Sequence, residues 1–140
     1  MTRTLESHST RNIWPVIGAI NGALAVALGA FGAHGLKTLV AEGHMTAETL
    51  DTFEVAVRYQ MYHALALVAL GVLVRRNDSA GKLAGCAFLV GIVVFSGMLY
   101  AYVFTGSKVF AMIVPIGGLS FIVGWVALAA SLWQLRQTVN

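Results

Sequence analysis

The chain has 140 residues, 58% of them hydrophobic and 11% charged, whereas a domain solvated on all sides has roughly a quarter charged. That composition excludes a water-soluble globule of this size. The net charge of +3 does not point to nucleic acid as a partner, because Lys and Arg lie at the edges of apolar runs and not clustered along one face.

A helix needs about 20 apolar residues to cross hydrocarbon. Four runs meet that length: about 13–36, 55–74 (with Arg58 as its one charged residue), 83–104 and 109–133. Backbone in lipid must satisfy its own hydrogen bonds, so each run is predicted to be a helix. The expected fold is all-α, an integral membrane four-helix bundle. One transmembrane domain is expected over 13–133, with tails at 1–12 and 134–140.

The first run follows Arg3 and Arg11 and ends in Ala30-Phe31-Gly32-Ala33, which resembles a signal peptide. It is longer than the roughly 7–15-residue core of a cleavable signal, and is read as a retained helix. Gly18, Gly22, Ala25, Gly29 and Gly32 recur along it at spacings of four and three, placing small residues on one face where another helix can approach closely. At its far end, Gly29, Gly32 and Gly35 surround His34, a pattern that suggests close backbone approach or a helix terminus.

The connection from about Lys37 to Asp51 follows, and Thr46 is placed to cap a helix starting at Ala47. The second run carries the richest polar cluster: Glu54, Arg58, Tyr59, Gln60, Tyr62 and His63. On an ideal helix Glu54 and Arg58 are one turn apart in the favourable order for pairing, and Tyr59 and His63 form a second one-turn pair. Arg58 and His63 lie roughly 140° apart, so the two pairs face different neighbours, and His63 is about 13 Å further in than Glu54. His34 and His63 both fall in the same half of the membrane and are expected to be able to meet. Asn21 is a further intramembrane polar group.

The third run holds Ser96, Tyr100 and Tyr102 as candidate hydrogen-bond partners, and near its start Cys86. As the single cysteine, Cys86 excludes an intrachain disulfide and a cysteine-based zinc site, and it reads as a small buried residue. In the fourth run, Pro115 followed by Gly117 and Gly118 is expected to kink or interrupt the helix. Ser120 with Gly124 and Ala127 with Ser131 extend the small-residue pattern.

Orientation follows from the basic residues. Arg3, Arg11, Arg75, Arg76, Lys82 and Arg136 fall on one side, with Trp14 and Trp133 at that edge; Lys37, Lys108 and the membrane-edge Arg58 fall on the other beside Glu42, Glu48, Asp51 and Glu54. Positive residues stay in the cytoplasm, so both termini are expected inside.

Gly-Ala-Phe-Gly-Ala-His-Gly-Leu at 29–36, Phe-Glu-x-Ala-Val-Arg-Tyr-Gln-Met-Tyr-His-Ala-Leu-Ala-Leu at 53–67, Phe-Ser-Gly-x-Leu-Tyr at 95–100 and Pro-Ile-Gly-Gly at 115–118 resemble the bacterial family catalogued as domain of unknown function 423. That family includes the YgdD-like inner-membrane proteins. The resemblance runs from Trp14 to Trp133. It implies a small four-helix protein of the bacterial inner membrane, and implies no activity, ligand or catalytic residue.

Three functional readings remain open. The first is a structural, assembly or interaction role, with a homo-oligomer or larger membrane complex as partner beside the lipid bilayer. The second is an oligomeric transporter or channel for a proton, ion or small solute, since intramembrane ionisable groups mark such paths and Pro115 to Gly118 is a candidate break of the kind transporters use. The third is a metal, haem or quinone held by His34 and His63. No nucleophile, base and oxyanion-hole arrangement is visible, so no catalytic residue, metal site or cofactor is assigned. The candidate polar cluster is His34, Glu54, Arg58, Tyr59, Gln60, Tyr62, His63 and Tyr100.

Overall fold

The computed structural model describes residues 12–74 and 78–139. Arg3, Arg11, Arg75 and Arg76, on which part of the orientation argument rests, lie outside the described residues. Four long helices make up the described residues: α1 (Trp14–Ala41), α2 (Ala47–Leu73), α3 (Ser79–Thr105) and α4 (Lys108–Val139). At 1.5 Å per residue each is about 40 Å or longer, so their ends project beyond a hydrocarbon layer about 30 Å thick. This is why the helices outrun the apolar stretches that locate them.

Local chemistry sets the ends. Pro15 occupies the first turn of α1, where its missing N–H costs nothing. Thr46 caps α2 by accepting from Thr49 N at 3.2 Å. Asp78 caps α3, its carboxylate accepting from Ala80 N at 3.2 Å and Gly81 N at 2.9 Å. Gly106, at φ 67°, ends α3 in a left-handed conformation that glycine adopts without strain.

At two points one of the expected alternatives is ruled out: a helix terminus at His34 and an interruption at Pro115. The glycines around His34 do not end α1: Gly32–Leu36 is one π-helical turn, after which the α-helix resumes to Ala41. The connection expected from Lys37 to Asp51 shrinks accordingly to 42–46. Nor does Pro115 interrupt α4, which runs helically from Lys108 to Val139. A second π-helical turn, Ile92–Ser96, lies within α3.

α1 packs along α2, and α3 along α4; α2 meets α3 to join the two hairpins, with a narrower α2–α4 seam beside it. In the most apolar stretches 39% of α2 and α3 is buried against 17% of α1 and α4. The inner pair therefore makes the core, and the outer pair presents apolar surface to lipid. One core cluster gathers Leu67, Leu70, Phe88, Ile92, Phe121 and Leu128 against Trp14 and Ile17. A second, at the other end, joins Leu36, Leu50, Phe53 and Val103. Cys86 is exposed, contrary to its reading as buried: the buried face of α3 carries Gly85, Ala87 and Phe88, and Cys86 falls off it.

Candidate functional site: a polar seam and a membrane-facing groove

Gln60 is buried and ties three helices together. Its Nε2 donates to the Asn21 carbonyl of α1 at 3.2 Å, and its Oε1 accepts from the Tyr100 hydroxyl of α3 at 2.8 Å. Asn21 spends its own amide on the Ile17 carbonyl at 2.9 Å.

One turn on, His63 is fully engaged. Its Nδ1 lies 2.7 Å from the Tyr59 carbonyl, and the Trp125 indole donates to its Nε2 at 3.2 Å. An indole N–H only donates and a carbonyl only accepts, so these partners assign the proton to Nδ1 and make the ring neutral. The imidazole lies flat on Phe121, centroids 3.4 Å apart and planes 6° from parallel. Tyr59 stacks on His63 at 6.1 Å and on Phe95 at 4.5 Å.

Beside this stack a groove of about 800 Å³ opens between α2 and α4, lined by Tyr59, Tyr62, His63, Phe95, Phe121 and Trp125, with Pro115 and Gly118 on its α4 wall. Nearby in α3, the fully buried Ser96 has a hydroxyl with no hydrogen-bond partner among the described residues.

The remaining members of the sequence-derived cluster do not join this seam. Glu54 and Arg58 are both exposed, and neither contacts a charged or hydrogen-bonding partner among the described residues. The one-turn ion pair is not formed: both side chains are exposed, where holding two long side chains in one geometry gains little. His34 is exposed in the π-helical turn of α1 and does not meet His63. Gly32 packs on Phe53, so His34 is near the level of Phe53, and His63 lies ten residues, about 15 Å, further along α2. With both His63 nitrogens occupied, the two histidines cannot share a ligand. Among the described residues no three His, Cys, Asp or Glu side chains converge on a metal-sized space.

The small residues divide by how closely they are approached. A methyl group at Gly18 would lie 2.6 Å from the Ala64 carbonyl, and one at Gly117 would lie 2.4 Å from the Phe95 nitrogen. Gly22, Gly29 and Gly118 would meet their neighbours at 3.9, 3.4 and 3.8 Å, and Gly32 would meet Phe53 at 3.1 Å. Gly18 and Gly117 thus set helix separation, while a methyl group at Gly22, Gly29 or Gly118 would make ordinary van der Waals contact.

The family model described as Protein of unknown function (DUF423) matches residues 28–118. The chain belongs to that family. This DUF423 chain is similar to a UPF0382 membrane protein of Staphylococcus aureus (strain bovine RF122 / ET3-1), 44% identical over 113 residues covering 81% of this chain and 88% of the relative. It is likewise similar to a UPF0382 membrane protein of Haemophilus influenzae, 38% identical over 119 residues, with 85% and 92% covered. The UPF0382 membrane protein YwdK of Bacillus subtilis is 39% identical over 121 residues, with 85% and 94% covered. No solved structure matches the chain. The DUF423 match includes Tyr59, Tyr62, His63, Phe95, Pro115 and Gly118, and stops before Phe121 and Trp125.

Trp125, Phe121, Phe95 and Asp78 were not singled out from the sequence of this DUF423 protein. Trp125 carried a readable signal: Trp14 and Trp133 sit at a membrane edge, whereas an indole N–H in mid-span needs a partner. Asp78 directly before an apolar run is an N-cap signature. Its second partner was not readable, since Ser131 Oγ donates to its carboxylate from α4. That hydrogen bond, ahead of the two capping N–H groups, holds the Asp78 carboxyl below the usual carboxylate range.

Proposed function

We propose that this protein is a structural or assembly protein of the bacterial inner membrane that acts through contacts within the bilayer, with both termini in the cytoplasm. The observation that carries the reading is the use made of the buried polar groups. Gln60 and His63 spend their polar atoms on neighbouring helices and on their own backbone, and Ser120 donates to the Ala87 carbonyl at 2.8 Å. Intramembrane hydrogen bonds of this kind are glue between helices, and among the described residues Ser96 Oγ is the single buried side-chain polar atom left without a partner, too little to form a chain for an ion to follow. The broad apolar faces of α1 and α4 supply surface for a second copy or a larger complex.

Proteoliposomes test the reading against transport: proton and ion flux equal to that of empty vesicles is expected, and flux that scales with protein would overturn it. Cross-linking in native membranes is expected to capture a defined oligomer or partner. Reporter fusions at each end are expected to place both termini inside.

A further inference from the structure

We infer that the groove between α2 and α4 holds one acyl chain of an anionic phospholipid, whose phosphate is bound by Arg58. The inference rests on the membrane embedding of the chain and is independent of any assembly role. The groove volume of about 800 Å³ lies within the roughly 300–1,000 Å³ typical of ligand pockets. From Pro115 to Trp125 its α4 wall spans ten residues, about 15 Å. That is half of a hydrocarbon layer about 30 Å thick, the depth of one leaflet.

At the bottom, the Trp125 indole and the His63 ring spend their polar atoms on one another and on the Tyr59 carbonyl, so the groove floor presents ring faces and edges. This end suits hydrocarbon. The mouth has the opposite character. Arg58 is adjacent to Tyr59 and one turn outward of Tyr62, and residues four apart share a helix face. Tyr59 and Tyr62 are 40% and 56% exposed, and Arg58 is exposed with no partner among the described residues.

An arginine on a lipid-facing flank extends its head to the interface. There its planar fork matches phosphate oxygens in pairs. Glu54, one turn further out on the same helix, forms no ion pair with Arg58, which leaves the five N–H donors of the guanidinium for the phosphate. A cation at the mouth and an apolar channel one leaflet deep correspond to the two ends of one phospholipid.

Trp125 reports on the groove directly. The protein is placed in phosphatidylcholine vesicles containing a minor fraction of either phosphatidylglycerol or phosphatidylcholine brominated midway along its chains, and tryptophan quenching is measured. Trp125→Phe subtracts the background from Trp14 and Trp133. Brominated phosphatidylglycerol is expected to quench Trp125 with an apparent preference of about fivefold, the value of one interfacial charge. Arg58→Gln is expected to abolish the preference, and Arg58→Lys to keep most of it. Equal quenching by the two lipids in the unmodified protein would overturn the inference whatever the variants do, as would a preference that survives Arg58→Gln. Protection of Trp125 from both lipids would also overturn it, because a protein segment would then fill the groove.

Discussion

Gly117 is where the packing of the α3–α4 seam can be tested most sharply. A methyl group there would lie 2.4 Å from the Phe95 nitrogen and 2.8 Å from its Cα. Those atoms are backbone and cannot rotate away, and ordinary contact begins near 3.4 Å. Gly117→Ala therefore forces the two helices apart by about 1 Å at their closest point, the kind of overpacking that costs about 1–3 kcal/mol. Gly97 supplies the matched control: its backbone is helical, and an added methyl meets nothing within 4 Å. Replacing glycine by alanine within a helix stabilises by about 1 kcal/mol through propensity. That gain is common to both variants and cancels between them. Gly97→Ala is expected to melt at or above the unmodified protein, and Gly117→Ala below Gly97→Ala by the full overpacking cost. Thermal unfolding in mild detergent, followed by circular dichroism and tryptophan fluorescence, measures the gap. If Gly117→Ala is as stable as Gly97→Ala, helix separation at this seam is not set by the missing side chain, and the packing argument fails.

Two further predictions concern the polar seam and the cap of α3. Tyr100→Phe and Gln60→Leu, measured singly and together, are expected to show a coupling of about 0.6–1.7 kcal/mol, the range found for hydrogen bonds between membrane helices; additive losses would show that the 2.8 Å contact contributes nothing. Because the Asp78 carboxyl titrates below its usual 3.8, the stability it provides is fully present above that value and is lost as pH falls through the lower folded-state pKa. The melting-point difference between the unmodified protein and Asp78→Ala should accordingly stay constant near neutrality and shrink in acid; a difference that grows in acid would reverse the assignment.

The four helices were legible because the bilayer imposes a length on them, and 20 apolar residues without a charge have few other readings. Their ends were less so. The stretch Gly32–Leu36 looks like a terminus on composition, but α1 persists beyond it because a single π-helical turn absorbs the irregularity. The site was half legible. A glutamine and a histidine inside a membrane must find partners, and Gln60, His63 and Tyr100 have them. Gln60 and Tyr100 find each other across the α2–α3 seam, whereas the Trp125 partner of His63 depends on the rotation of α4 about its axis, which is set where Gly117 and Gly124 meet Phe95 and Phe88. Glu54 and Arg58 show the converse error. Their spacing permits a pair, but spacing says nothing of which way two long side chains extend when interface and lipid lie beside them.

The arrangement of the seams also bears on how the chain is made. Each helix finds its most extensive neighbour across a single short connection, so both hairpins can close as soon as their second helix emerges. The meeting of the two hairpins is then a later event between preformed units. Such a protein should survive being severed between α2 and α3. Co-expressed halves are expected to insert separately and co-purify as one particle, whereas halves cut between α1 and α2 would each lack a partner for a helix and should be degraded. Co-purification from both kinds of cut, or from neither, would show that the hairpins are not the units in which this protein is assembled.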